Sequence, residues 1–263
     1  MTTDGATDQP PVMLGAEAWS HTSVDASAAG ALVLHGFTGN PSSVRGLAEA
    51  LAGAGFDVEL PRLPGHGTTV EDMQSTCWAD WTGEVGRAYE RLAERASSIV
   101  IAGLSMGGSL TLWCGLQHPE AVGLICVNPA TEPPADDVQA MLREMLDDGT
   151  EVIPGIGSDI ADPDAHEIAY EGTPIRPLLS MIDDGLAPLS QQYGELHQPL
   201  LVFTSRQDHT VEPAQSDYLA AHYGGPVDHR WLERSYHVAT QDFDRDIIDV
   251  AAVDFARKVT AAS

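Results

Sequence analysis

Basic charge is what this 263-residue chain lacks most: Lys and Arg total 13 against 39 Asp and Glu, for a formal net charge of −26. Lys258 is the single lysine. A surface that negative repels phosphate backbones and anionic bilayers, which argues against nucleic acid as a partner. Cysteine is scarce too. Cys77, Cys114 and Cys126 are odd in number, far apart and without a C-x-x-C pair, so neither a disulfide framework nor a zinc site is expected. They suit a reducing compartment. Residues 1–11 carry two acids, no basic residue and no apolar run, which is not a signal-peptide pattern. A cytoplasmic location is the expectation. Long hydrophobic runs are also missing. Residues 96–119 form an uncharged stretch of 24, long enough to cross a bilayer, but Gly103, Gly107, Gly108 and Gly115 break it. It reads as a strand, a sharp turn and a buried helix, so no stable membrane insertion is expected.

What is present is enough for a packed core, with 43% hydrophobic and 20% charged residues. Short apolar runs alternate with helical patterns. Residues 31–34, 56–60, 99–102 and 123–127 read as strands buried on both faces. Helices are expected at 43–54, capped by Ser42 or Ser43, at 78–96 with Trp81, Val85, Ala88 and Leu92 on one face, and at 107–117. From residue 132 to 189 no sheet strand is convincing, and the segment holds 14 acids against Arg143 and Arg176, a net of −12. Strands at 199–203 and 228–232 and helices near 213–222 and 243–259 then resume the rhythm. The expectation is a doubly wound, mostly parallel α/β sheet. Its core would be residues 1–131 and 190–263, carrying an acidic helical cap at 132–189.

Gly103-Leu104-Ser105-Met106-Gly107 lies between the strand at 99–102 and a helix. A serine on so tight a strand-to-helix turn needs neighbours without bulk, and the turn lifts its hydroxyl above the sheet as a nucleophile. An activated serine needs a base and a group that orients the base. Asp208 follows one late strand and His237 the next, so both fall at carboxyl ends of strands, where open α/β sheets place their sites. Asp242 and Asp244 are the competing acids; His209, next to Asp208, points away if Asp208 faces the site, and His222 and His229 are read as surface or core residues. Backbone amides of Met106 and of Phe37, in the loop His35-Gly36-Phe37-Thr38-Gly39, are positioned to hold an oxyanion. His35 is expected to anchor that loop. Asp159, Asp162 and Asp164 lack the alternation and glycine of a calcium loop.

His35-Gly36-Phe37-Thr38-Gly39, Leu63-Pro64-Gly65-His66-Gly67 and Gly103-Leu104-Ser105-Met106-Gly107-Gly108 together resemble the α/β-hydrolase superfamily, and within it the bacterial monoacylglycerol lipases and small carboxylesterases. The resemblance runs from about residue 31 to the C-terminus and is weakest over the cap. It implies nucleophile Ser105, charge-relay Asp208, general base His237, oxyanion amides at Phe37 and Met106, and no metal or organic cofactor. Within the cap, Met181 and Leu178 are the candidate pocket residues. The expected substrate is a small neutral ester of short to medium acyl chain, since a cap of that charge disfavours anions. The same triad serves C–C, amide, lactone and perhydrolysis chemistry, and the fold also serves non-catalytic binding proteins. The excess of like charge predicts a melting temperature that rises with salt, because screening relieves self-repulsion. Thermal scans in low and high NaCl test this, and a flat or falling melting temperature contradicts it.

Overall fold

The computed structural model describes residues 10–25, 28–155 and 157–262. Residues 1–9, most of the segment read as lacking a signal peptide, lie outside the described residues. Strands β1 (Trp19–His21) and β2 (Gly30–Leu34) lead to α1 (Arg45–Gly53) and β3 (Asp57–Leu60). Next come α2 (Val70–Gln74), α3 (Trp78–Ala93), β4 (Ile99–Leu104), α4 (Met106–Gln117) and β5 (Gly123–Val127). An insertion follows, with α5 (Asp136–Asp147), a ribbon of β6 (Val152–Pro154) and β7 (Gly172–Pro174), and one helical run. That run is α6 (Ile175–Ser180), a π-helical turn (Met181–Leu186) and α7 (Ala187–Leu189). Strand β8 (Leu200–Ser205), α8 (Ala214–His222), β9 (Val227–Leu232) and α9 (Arg245–Thr260) complete the chain.

Seven strands form the central sheet in the order β1-β3-β2-β4-β5-β8-β9. β1 runs antiparallel to β3 and every other pairing is parallel. Because successive strand residues point to opposite faces, each buried strand feeds two cores. Leu32, Leu34, Ile101 and Val202 face α3 and α4, while Ala31, Val33, Val100 and Phe203 face α1 and α9. On α3 the stripe of Trp81, Val85, Ala88 and Leu92 is buried as its spacing requires. Each such Val or Leu contributes about 2 kcal/mol on burial.

Several local details depart from the reading of the sequence. The first helix is preceded by a 3-10 turn (Pro41–Val44) capped by Asn40, whose Oδ1 accepts the Ser42 amide at 3.0 Å, and the helix itself begins after Val44 with no side-chain cap from Ser42 or Ser43. β1 and α2 were not expected: each is short, and β1 is an edge strand whose Trp19 ring lies beneath the Arg45 guanidinium. The insertion is not purely helical, since β6 and β7 pair within it. The uncharged stretch at 96–119 is strand β4, the turn at Ser105 and helix α4. Among the described residues no helix is long and apolar enough to cross a membrane.

The turn joining β4 to α4 is the tightest point of the fold. A Cβ at Gly103 would collide with the Gly107 carbonyl and lie 2.7 Å from Thr111 Oγ1, and one at Gly107 would collide with the Leu34 carbonyl. Backbone, unlike a side chain, has no rotamer to yield. Gly103→Ala is therefore expected to cost about 3 kcal/mol. Urea unfolding measures it, and an unchanged midpoint would show that the turn relaxes freely.

Candidate active site

Ser105 adopts φ +56° and ψ −121°, a left-handed conformation that the glycines around it make sterically possible. Its carbonyl accepts the amides of Gly108 at 2.8 Å and Ser109 at 3.2 Å, so the backbone is already committed to α4. Its hydroxyl carries no hydrogen bond among the described residues, that to His237 included, and it opens into a cavity of about 440 Å³. The loop after β2 crosses close over it: a Cβ at Gly36 would lie 3.3 Å from Ser105 Cβ. Phe37 and Met106 both line the cavity, and neither amide donates to a protein group among the described residues. Two free N–H groups beside one hydroxyl is an arrangement suited to a developing oxyanion.

The loop is held by two buried histidines. His35 Nε2 accepts the Leu63 amide at 3.1 Å and Nδ1 lies 3.0 Å from the Gly36 carbonyl. Burial, with His66 alongside, drives the His35 pKa well below its ordinary value. His66 is pushed down to about 4, again by burial, and packs edge-on against Phe37 and Trp81.

Asp208 and His237 leave the ends of β8 and β9. Asp208 Oδ2 lies 2.8 Å from His237 Nδ1, with both side chains almost fully buried. The other oxygen, Oδ1, accepts the amides of Thr210 and Val211 at 2.8 Å each, which orients the carboxylate. A carboxylate only accepts, so Nδ1 carries the proton of this bond, which leaves Nε2 as the lone-pair nitrogen of the neutral ring. His237 lines the same cavity as Ser105. Asp242 and Asp244 are occupied elsewhere. Asp242 accepts the amides of Ala161, Asp162, Tyr236 and Phe243, and Asp244 those of Arg234 and Ser235. His209 is exposed and pairs with Asp159 at 2.8 Å. Asp162 Oδ1 caps a turn through the Asp164 amide.

The insertion roofs the cavity. Met181 and Leu178 both line it, beside Met141, Leu142 and Ile182. A second, larger depression of about 680 Å³ lies at the opposite ends of the strands, lined by Leu200, Val227 and Lys258, away from Ser105. Glu167 is a cavity residue that sequence reasoning did not single out. Glu167 lines the wall, and its carboxylate has no hydrogen-bond partner among the described residues. Burial raises its pKa to about 7, with His237 pulling the other way. Its segment is pinned to the loops after β2 and β3. Asn40 Nδ2 donates to Ile168 O at 2.5 Å, Tyr170 N to Thr38 O at 3.2 Å, and Tyr170 OH to Gly65 O at 2.7 Å. In sequence Glu167 is one of 14 acids in the insertion, with nothing to mark it.

The profile of the Hydrolase_4 family, described as serine aminopeptidase, S33, matches residues 26–244. The chain is 38% identical over 254 residues to a thermostable monoacylglycerol lipase of Bacillus sp. strain H-257, covering 95% of this chain and 98% of that one. It is 27% identical over 230 residues to a carboxylesterase of Bacillus subtilis strain 168, covering 87% and 92%. A solved structure from work on the metagenome-derived lipolytic enzymes LipS and LipT superposes with a TM-score of 0.88 at 39% identity, covering 94% of this chain and all of that one.

The raised Glu167 pKa has a consequence for stability. The unfolded chain ionises this group near 4.5 and the folded one near 7. Folding is thus progressively penalised as pH rises between those values and stays penalised above them. Glu167→Gln is neutral in both states, so it should match the wild type at pH 4 and exceed it at pH 8 by about 3 kcal/mol. Urea midpoints at the two pH values test this, and an equal difference at both counts against it.

Proposed function

We propose that this chain, which belongs to the Hydrolase_4 family (serine aminopeptidase, S33) of the α/β-hydrolases, cleaves monoacylglycerols or related short-to-medium-chain esters through an acyl-enzyme on Ser105. It is a carboxylic ester hydrolase, as its full-length similarity to a monoacylglycerol lipase and to a lipolytic enzyme indicates. The observation that carries the triad reading is the Asp208–His237 pair at 2.8 Å on the wall of the cavity that holds the free Ser105 hydroxyl.

In this reading His237 Nε2 takes the Ser105 proton as Oγ attacks the ester carbonyl. The amides of Phe37 and Met106 hold the oxyanion, and each such donor is worth about 100-fold or more in rate. The alcohol departs with the proton from His237. Water, activated by the same imidazole, then attacks the acyl-enzyme, and the free acid leaves. Asp208 keeps Nδ1 protonated and stabilises the imidazolium that forms in both steps.

The finer substrate assignment is supported by the cavity. Its volume of about 440 Å³ falls within the range of small-molecule sites, about 300–1,000 Å³. Met141, Leu178 and Met181 offer an apolar wall to an acyl chain, and methionines adapt to chains of different length. Glu167 supplies an unpartnered polar group beside them, suited to the hydroxyls of a polyol alcohol. Residues 132–189 act as an acidic lid in this proposal, and their charge steers selection towards neutral esters. The test is hydrolysis of p-nitrophenyl esters from acetyl to palmitoyl, beside monoacylglycerols, by wild type and Ser105→Ala. The expected result is a chain-length optimum in the wild type and a fall of about 10,000-fold or more in the variant. Absence of turnover by folded wild type overturns the ester reading.

A further inference from the structure

His237 sits on a loop, and a loop residue keeps its ring in place only if its backbone is held. Two side chains from distant parts of the chain hold it. Asp159 Oδ2, from the insertion, accepts the His237 N–H at 3.1 Å. Asn128 Nδ2, just past the end of β5, donates to the His237 carbonyl at 2.8 Å. Asn128 also reaches the acid's strand. Its Nδ2 donates to Ser205 Oγ at 2.9 Å, its Oδ1 accepts the Ser205 amide at 2.7 Å, and its own amide donates to Phe203 O at 2.9 Å. Ser205 is the last residue of β8, three before Asp208, and its hydroxyl donates to the Tyr236 carbonyl at 2.8 Å. The residue before Asn128 completes the set: Val127 O accepts the Ser105 amide at 3.0 Å.

Asn128 is 2% exposed and sits at φ +44°. A non-glycine residue there is strained, and such strain persists only where the surroundings over-determine it. The chemistry of the contacts explains the residue type. One group must donate to a carbonyl and a hydroxyl while accepting an amide, and do so from a left-handed backbone. Asparagine has both donors and the acceptor on a short stem and tolerates αL better than other residues. Aspartate has the shape without the donors.

We propose that Asn128 is a positioning residue of the reaction, tying the end of β5 beside the nucleophile, the strand that carries Asp208 and the main chain of His237 into one unit, with Asp159 holding the opposite side of the His237 peptide. The proposal rests on the Ser105–His237–Asp208 reading. Loss of the amide lets the imidazole shift against both its neighbours. Ground-state binding is untouched, because Asn128 does not line the cavity.

The test compares wild type with Asn128→Asp, using a p-nitrophenyl ester and normalising turnover to the folded fraction from near-UV circular dichroism. A positioning role predicts kcat lower by about 10- to 100-fold with KM within about twofold of wild type. It also predicts loss or broadening of the downfield proton resonance of His237 Nδ1. A purely structural role lowers the melting temperature and leaves kcat per folded molecule and the resonance alone, which overturns the proposal. Ser105→Ala and His237→Ala run beside it. If either retains wild-type turnover, the triad reading has failed and the role proposed for Asn128 falls with it; if both are inactive while Asn128→Asp turns over normally, only this proposal fails. Should Asn128→Asp not fold, Ser205→Ala decides the matter. It removes the hydroxyl shared by Asn128 and Tyr236 without disturbing the left-handed residue. A several-fold drop in kcat at constant KM supports the proposal, and wild-type kcat overturns it.

Discussion

The backbones of β2, β4 and α4 meet so closely at Gly103 and Gly107 that neither position has room for a side chain. That contact turns the chain by the shortest route from strand to helix and leaves Ser105 in a left-handed conformation. Everything in the candidate site is arranged around the result. The Met106 amide has no partner among the described residues because it opens α4. Gly36 must also be small, because the loop after β2 has to pass within contact of the serine to bring the Phe37 amide to the same cavity. Strain at one residue is thus offset by packing in three elements, as over-determined backbone conformations require.

Around this centre, carboxylates do more structural than electrostatic work. Asp208, Asp242, Asp244 and Asp159 each accept two or more main-chain amides in the loops that carry the acid and the histidine. Hydrogen bonds from neutral amides to an ionised acceptor are stronger than neutral pairs. A chain with 39 acids and 13 basic residues therefore has a ready means of stiffening loops that lack strand or helix bonding. Glu167 is the exception: it is largely enclosed without such donors, and its raised pKa follows from that difference. The insertion that bears it is anchored at residues 168 and 170 to the loops after β2 and β3, while Met141 on α5 remains half exposed.

Legibility of the sequence followed the range of the interactions. Strands β2, β4, β5 and β8 are continuous apolar runs because both their faces are buried, and α3 shows its buried stripe at helical spacing. These patterns are written in neighbouring residues. The tight turn at Ser105 was legible because its constraint acts within five positions, and the juxtaposition of Asp208 and His237 because the order of strands dictates which loops share an edge. β1, α2 and the β6–β7 ribbon left no such trace. Each has five residues or fewer and takes its stability from a partner distant in sequence. The cap at Asn40 was missed because a 3-10 turn intervenes before the helix proper.

Local steric demands and hydrophobic periodicity, written in neighbouring residues, set the alternation of strands and helices, the tight turn at Ser105 and the two late loops. The packing of distant elements sets which acids face an imidazole, as Asp208 and Asp159 do, and which bind amides alone, as Asp242 and Asp244 do. It also decided that Glu167 is enclosed and that Asn128 reaches a carbonyl 109 residues away. Those outcomes depend on where folded elements come to rest against one another, and a polar residue carries no local pattern that announces its distant partner.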